Sequence, residues 1–447
     1  DVRGIYPAEI NEEAAYRIGG AYAAYLQLVG KTVAVGRDVR LSSPSLQQAV
    51  TKGLTDAGVN VLDIGLGPTE LMYYAVGSLG LDGGIQVSAS HNPGEYNGIK
   101  MVRGGGGVNA ISIDTGIAEI RDIALGDQDF QADRKGTVET KDLTSAYVDF
   151  VSKFFDVSGL PKLKIVANNN FGASGPLAKQ IFHQLNLPIE LVELNFTPDG
   201  SFPKGPPNPL LAENRAETSQ AVKDENADLG ISWDCDGDRC FFTDENGQYI
   251  EGSYVTALFA QFLLRQHPGA KIVCDVRNLW TTQTAIEQAG GVPILAKVGH
   301  SFIKDKMKAE QALYAGEMSG HHYFQDFYFA DNGLISMMLF LSVIKTNPQP
   351  VSALVAEFRE KFPVSGEINF RVKDVAETLV DLKSRFPTVD TDNFDGLSLT
   401  SEKWRASIRS SSNEPVLRLN VEAHDEDTLM TVTNRLTEVI RYHTETH

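Results

Sequence analysis

The stretch Asp234-Cys235-Asp236-Gly237-Asp238-Arg239 places three carboxylates at alternate positions. On an extended strand end alternate side chains share a face, so the three would repel one another unless a cation sat among them. Hard oxygen ligands select magnesium, calcium or manganese over zinc. A calcium-binding EF-hand competes for the same residues, because Glu245 falls at the twelfth position of such a loop. Its sixth position, however, is Arg239 where the sharp turn needs glycine, and the flanks read as strand. The stretch is expected to be a divalent-cation site, with a solvated acidic turn as the plainer reading.

A second stretch runs Ser88-Ala89-Ser90-His91-Asn92-Pro93 and continues to Asn97-Gly98-Ile99-Lys100. Ser90 has no G-x-S-x-G elbow around it, and neighbouring side chains on an extended chain point apart, so His91 is expected to be a poor general base for it. That disfavours a Ser/His hydrolase. A serine can instead carry a phosphoryl group, whose roughly two negative charges need a metal and cations to hold them. The aspartates and Arg239 would supply both if their two domains faced one another. Alone the stretch reads as a turn; paired with the aspartates it reads as a phosphoryl site.

Other loops carry weaker signals. Glu317, Ser319 and His321 offer donors and acceptors suited to sugar hydroxyls, or else form a capped turn. The run "RSSSNEP" at 409–415 sets Arg409 beside three hydroxyls and backbone amides, which suits a phosphate dianion, with a polar turn as the alternative. His300 and Lys304 lie four apart and can meet a common anion from one helical face, although such a pair is commonly solvated surface.

The loops of Ser90, of the three aspartates and of Glu317 each lie at the end of a repeated pattern. "KTVAVGRD", "VNVLDIG" and "GGIQVSAS" read as strands separated by helical stretches. The order returns at "LKIVANNN", "IELVELN" and "ADLGISWDCDGDR", and again at "AKIVCDVR", "GVPILAKVGH" and "ALYAGEMSGHH". Strands alternating with helices are the sign of parallel βαβ units, and open α/β sheets bind ligands beyond the carboxyl ends of their strands. From about residue 361 the alternation stops: "GEINFRV", "DGLSLTS" and "PVLRLNVEAH" read as strands before a final helix from about Asp425. The expected fold is three related α/β domains with mixed, mainly parallel sheets plus a C-terminal α+β domain around a central cleft. The expected boundaries are 1–145, 146–250, 251–360 and 361–447. The Pro-rich "TPDGSFPKGPPNP" (197–209) is expected to be a rigid surface loop.

Bulk properties narrow the function. A chain of 447 residues exceeds one hydrophobic core, and its hydrophobic and charged fractions of 42% and 22% are those of globular proteins. A net charge of -18 repels nucleic acid and anionic lipid, so a phosphorylated ligand needs a local cluster of cations or a metal. Three cysteines outside any CxxC spacing argue against a disulfide framework and a zinc site. No apolar run approaches the roughly 18 residues of a membrane span, and no export signal is visible at the start, so a cytoplasmic protein without nucleic-acid or membrane partners is expected.

In this order, "DVRG", "SASHNP" with "NGIK", "DCDGDR", "GEMSGHH" and "RSSSNEP" resemble the α-D-phosphohexomutase superfamily, most closely its bacterial phosphomannomutase/phosphoglucomutase branch. The resemblance covers essentially the whole chain, one motif per domain. It implies an isomerase that interconverts mannose 1-phosphate and mannose 6-phosphate, and the glucose phosphates as well, through a phosphoserine and a 1,6-bisphosphate. Ser90 matches the phosphoserine, which would also touch a magnesium ion held by Asp234, Asp236 and Asp238. Arg3 and Arg239 would assist; Lys100 matches a lysine implicated in proton transfer, and His91 lies where a histidine adjoins the phosphoserine.

The resemblance further places Arg277 and His300 in the cleft, Glu317 and Ser319 at the sugar hydroxyls shared by mannose and glucose, with His321 beside them. Arg409, Ser411, Ser412 and Asn413 would hold the phosphate that does not react. That loop departs from the family's usual Arg-x-Ser-Asn-Thr, since Ser412 and Asn413 replace its last two residues. The aromatic-containing residues that usually precede "DVRG" are also absent. Hexose phosphates are the expected partners, hexose 1,6-bisphosphate the expected activator, and a monomer or weak homodimer the expected state. N-acetylglucosamine phosphate is disfavoured because that branch has Gln where Met318 stands.

Three rivals remain. A metal-dependent sugar-phosphate phosphatase would use the same acidic cluster with water as acceptor. A P-loop kinase lacks its G-x-x-x-x-G-K-[ST] loop, since "RGGGG" at 103–107 has no following Lys-Ser/Thr. A calcium- or sugar-binding module would not need Ser90.

Overall fold

The computed structural model describes residues 1–410 and 416–444, which form two compact units. The first unit comprises Asp1–Tyr249 and Ser319–Pro350. Its larger sheet is built on Thr32–Arg37, a β-branched strand that pairs in parallel with Asn60–Leu66 and with Gly83–Val87. Gly83–Val87 is buried along its whole length, as expected of a strand covered on both faces. Tyr96–Arg103 pairs antiparallel with it and Val2–Ile5 antiparallel with Tyr96–Arg103, so the sheet is mixed. The helices Glu12–Leu26 and Ser43–Asp56 pack closely because small residues meet there: a Cβ on Gly53 would lie 2.1 Å from the carbonyl oxygen of Tyr16.

The second sheet of this unit runs, edge to edge, Tyr249–Ile250, Cys240–Asp244, Leu229–Trp233, Leu163–Asn168 and Ile189–Leu194. Leu163–Asn168 pairs in parallel with both neighbours, and Cys240–Asp244 turns back antiparallel against Leu229–Trp233. The hairpin of His322–Phe324 and Ala330–Asp331 leads into the helix Gly333–Thr346. That helix is buried from Gly333 to Ile344, and its Phe340 ring stacks on Phe242 with centroids 4.0 Å apart. It is apolar all round because it is a core helix. Among the described residues no helix is long and apolar enough to cross a membrane.

The second unit comprises Ile250–Met318 and Val351–His447. Lys271–Asp275 pairs in parallel with Val292–Ala296 and with Tyr314–Gly316, the third occurrence of the α/β plan. The C-terminal sheet is wholly antiparallel, in the order Val364–Arg371, Val416–Ala423, Trp404–Ser410, Leu397–Thr400 and Asp390–Asp392. Helices Val375–Arg385 and Glu426–Tyr442 share its core, with Leu382, Leu436 and Ile440 buried against Leu417, Leu419 and Val421. The last helix starts where Asp425 accepts a hydrogen bond from the Thr428 amide at 2.7 Å.

Three α/β domains and an α+β domain are thus the observed class. Two of the elements that went unread in sequence bear on the argument. Trp404–Ser410 is a strand, and Lys100 sits inside the antiparallel strand Tyr96–Arg103, not in a loop.

Candidate active site

In the first unit the serine reaches the aspartates. Ser90 Oγ donates to Asp234 Oδ2 at 2.9 Å. The strand Gly83–Val87 ends just before it, and Ser90 itself takes a left-handed backbone, φ 51°, which is uncommon away from glycine and tends to mark functional loops. Its amide donates to Ser88 Oγ at 2.8 Å, and Ser88 Oγ donates in turn to Asp236 Oδ2 at 3.2 Å.

That backbone corrects the expectation for His91. Because Ser90 is not extended, the two side chains do not point apart: His91 Nδ1 lies 3.2 Å from Ser90 Oγ. Loss of solvent around the ring, then the cations Arg239 and Arg3, push the imidazole well below its usual range, so it is neutral.

The three aspartates also converge differently from the alternation argument. They follow the strand Leu229–Trp233 as a tight turn, with Gly237 at φ 74°, so the turn and not a shared strand face brings them together. One oxygen of each lies within 4.8 Å of the others, and all three residues are buried. The helix Thr69–Leu79 presents its N-terminus here: Thr69 donates from its amide to the Asp236 carbonyl (2.8 Å) and from Oγ1 to Asp236 Oδ2 (2.7 Å).

Lys100 Nζ donates at 2.6 Å to Asp236 Oδ2 and at 2.6 Å to Asp238 Oδ2. Burial opposes its charge, but Asp236 and Asp238 outweigh burial and raise it well above the usual lysine range. Asp236 is correspondingly held low against its own burial, with Lys100 as the chief cause. Asp234 instead rises to about 7, first through burial and then through Asp238 and Asp236. Asp236 Oδ1 and Asp238 Oδ1 are buried without a hydrogen-bond partner. Two orphaned carboxylate oxygens beside a third carboxylate fit a hard divalent cation, and the lysine already there shows the demand for positive charge.

Two arginines flank the group. Arg3, on Val2–Ile5, donates to the Ala89 carbonyl (3.2 Å) and to Asn92 Oδ1. Arg239 Nε lies 3.7 Å from Asp234 and donates to His321 Nε2 at 2.9 Å; His321 Nδ1 lies 2.9 Å from Asp331. Ser319 is buried in the same unit.

Glu317 belongs to the second unit, so the run Gly316–His322, read as one loop, is divided between the two. Glu317 Oε1 accepts from the Gly299 amide at 3.2 Å and lies 3.6 Å from Arg277, which Asp275 grips at 2.8 Å. His300 begins the helix His300–Glu310, which Lys304 shares. Lys304 is 2% exposed, so the solvated-surface reading of this pair fails. Arg409 Nε lies 2.9 Å from Asp395 at the end of Trp404–Ser410. Ser411, Ser412 and Asn413 lie outside the described residues.

Several residues escaped sequence reasoning. Asp275, Asp331 and Thr69 are ordinary polar residues until the fold brings them to Arg277, His321 and Asp236. Glu70 is buried with neither carboxylate oxygen hydrogen-bonded, and burial followed by the charge of Asp238 pushes its carboxyl well up. Its only sequence signal is a charge in the first turn of an apolar helix.

Four family profiles match the chain in order. They are described as "Phosphoglucomutase/phosphomannomutase", alpha/beta/alpha domain I over residues 1–124, domain II over 145–247, domain III over 251–362, and C-terminal domain over 367–439. A phosphomannomutase of Salmonella montevideo is 45% identical over 437 residues, covering 96% of this chain and 95% of the relative. The phosphohexose mutases of Xanthomonas campestris pv. campestris (strain B100) are similar at 43% over 444 residues, covering 99% and 98%. A solved phosphoglucomutase/phosphomannomutase family protein from Burkholderia thailandensis superposes with a TM-score of 0.87 at 32% identity, over 99% of this chain and 96% of that one. Fold and matches together define an isomerase of the phosphohexomutase class, an intramolecular phosphotransferase. The chain belongs to the phosphoglucomutase/phosphomannomutase family.

Proposed function

We propose that the enzyme interconverts mannose 1-phosphate and mannose 6-phosphate, and likewise the glucose phosphates, through a phosphorylated Ser90 and a hexose 1,6-bisphosphate. The observation that carries this reading is the 2.9 Å contact of Ser90 Oγ with Asp234, one of three clustered buried carboxylates. In the proposed cycle the P–O bond to Ser90 breaks as a P–O bond to the sugar's free hydroxyl forms, and the hydroxyl proton ends on the Ser90 oxygen. The bisphosphate turns round, and the reverse exchange returns its other phosphoryl group to Ser90.

His91, neutral and 3.2 Å from Ser90 Oγ, is suited to holding that proton in transit. Lys100 keeps its own proton between Asp236 and Asp238, and with Arg3 and Arg239 it offsets charge spreading over the transferring group. Asp234, Asp236, Asp238 and the Ser90 oxygen are the proposed holders of magnesium, which when bound supplies positive charge at the phosphoryl oxygens. Arg277, His300, Glu317 and Arg409 of the second unit, and Ser319 and His321 of the first, are the proposed contacts to the hexose phosphate. Ser411, Ser412 and Asn413 complete the proposed phosphate loop.

The same proposal divides the chain at residues 145, 250 and 360, and has it act in the cytoplasm as a monomer or weak homodimer. It is tested by a coupled assay with mannose 1-phosphate and glucose 1-phosphate, magnesium and a trace of the 1,6-bisphosphate. Comparable isomerisation of both sugars is expected. Release of inorganic phosphate without isomer would instead make the protein a sugar-phosphate phosphatase.

A further inference from the structure

Arg40 plays no part in the chemistry described so far, yet its guanidinium spends four of its five N–H donors on the Ser90 loop. Nη2 donates to the carbonyl oxygens of Ser90 and Asn92, each at 2.6 Å. Nη1 donates to those of Pro93 (2.6 Å) and Tyr96 (2.9 Å). Nε donates to Asp38 Oδ2 at 3.2 Å, and Asp38 Oδ1 is held by the Arg40 amide (3.0 Å) and by Ser43 Oγ (2.6 Å). The side chain is 0% exposed, and the Phe202 ring lies 5.1 Å from its guanidinium carbon.

That ring comes from the Pro-rich stretch 197–209, where Phe202 is buried and Gly200 bridges to Arg40. The stretch, expected to be a rigid surface loop, is exposed over much of its length but turns Phe202 inward over Arg40. The loop it helps to hold turns four carbonyls toward Arg40, of which that of Ser90 is fully buried and that of Pro93 also accepts from the Tyr96 amide at 3.1 Å. It also carries Ser90 in a left-handed conformation that the surroundings must enforce.

A comparison inside the chain separates this arginine from an ordinary structural one. The triplet Asp-Val-Arg occurs at Asp1–Arg3, Asp38–Arg40 and Asp275–Arg277, and the last two each lie at the end of the strand that opens its domain's parallel set. In both, the aspartate accepts from the amide and the guanidinium of the arginine two residues on. Arg277 then lies 3.6 Å from Glu317 and 3.7 Å from Glu367, both carboxylates. Beyond its own Asp38, Arg40 donates to backbone carbonyls. One local device thus aims two arginines at different targets.

We infer that Arg40 is a positioning residue for phosphoryl transfer at Ser90, setting the place of the Ser90 oxygen by fixing the loop's carbonyls. The inference rests on the reading of Ser90 as the phosphorylated residue. A lysine there would be a point charge with three donors and could not span four carbonyls and Asp38.

The test is rapid-quench transfer of labelled phosphoryl from hexose 1,6-bisphosphate to dephosphorylated enzyme, with Ser90→Ala as the blank. Arg40→Lys is expected to label about 10- to 100-fold more slowly, the size of loss that roughly 1 Å of misplacement gives, with KM for the hexose phosphate within about twofold of wild type. A merely structural arginine would lower the melting temperature and leave the labelling rate of the folded enzyme unchanged, and that result overturns the inference. Should Arg40→Lys not fold, Asp38→Asn, which keeps the arginine and the side-chain size, decides: slower labelling supports the role and wild-type labelling overturns it. Wild-type enzyme that takes no label at Ser90 would overturn the Ser90 reading itself, a result distinct from equal labelling of wild type and variant.

Discussion

The Oγ of Ser90 donates a 2.9 Å hydrogen bond to Asp234 across 144 residues of sequence. The loop after one sheet of the first unit and the loop after the other meet at that bond. Ser90 has no acyl-transfer elbow to activate it, and the group it touches is an acidic cluster whose unpaired oxygens call for a cation.

Ser90→Ala is therefore expected to abolish isomerisation, by on the order of 10³-fold or more, while the protein keeps its fold. The lost hydroxyl donates to Asp234 and lies against His91, contacts within the site and not in the core of either sheet. Mutase activity within tenfold of wild type would refute a phosphoserine.

Removing divalent cations with a chelator is expected to stop turnover, and magnesium to restore it. Magnesium should also raise the melting temperature of the catalytically dead Ser90→Ala protein, because a ligand that binds the folded state stabilises it. A melting temperature indifferent to magnesium would count against the aspartates as its site.

Glu317→Gln keeps the shape of a side chain that accepts from Gly299 and lies 3.6 Å from Arg277, but removes its charge. Hydrogen bonds to charged groups contribute about 1.5–3 kcal/mol, so substrate affinity should fall roughly ten- to a hundredfold. Steady-state kinetics on both sugars checks this, and an unchanged KM and kcat would remove Glu317 from the site.

Stability should depend on pH through Glu422. This buried carboxyl accepts from the amides of Leu279 (2.8 Å) and Trp280 (2.9 Å), which favours its charged form. Burial outweighs both Arg405, 3.6 Å away, and these amides, and lifts it to about 7 from an ordinary 4.5. With the folded value above the unfolded one, the folded state binds the extra proton between these values. The contribution is full below about 4.5 and is lost as pH rises through about 7, by at most about 3 kcal/mol. Thermal melts of wild type and Glu422→Gln from pH 4.5 to 7.5 should show a downward slope that the variant flattens; parallel curves would exclude Glu422 as its source.

Much of the architecture was legible because it is local. The strands of the three α/β domains announce themselves as β-branched apolar runs between helical stretches, and Asp425 marks the last helix with its own capping side chain. Trp404–Ser410 escaped notice although "WRASIRS" alternates Trp404, Ala406 and Ile408 with polar residues at the period of a half-buried strand; its pairing with Val416–Ala423 and Leu397–Thr400 places those three on the core face.

The site divides along the same line. Residue types alone pointed to a cation among Asp234, Asp236 and Asp238 and argued against Ser90 as a hydrolase nucleophile. An extended chain was the wrong guide to their geometry, since His91 was set apart from Ser90 and the aspartates were lined along one strand face. Chain direction decides both, and it is set by a left-handed Ser90 and a turn at Gly237.

By itself, then, the sequence determined which groups carry charge, which can take a phosphoryl group and which strands exist, because those follow from composition and short-range pattern. Only the tertiary structure decided that Lys100 lies between Asp236 and Asp238, that Arg40 grips four carbonyls of the serine loop, and that Phe202 closes over it. These pairs are 50 to 162 residues apart, a separation no local pattern encodes. Burial then turns such contacts into shifted charges and fixed loops, because buried polar groups, out of reach of water, must find their partners in the protein.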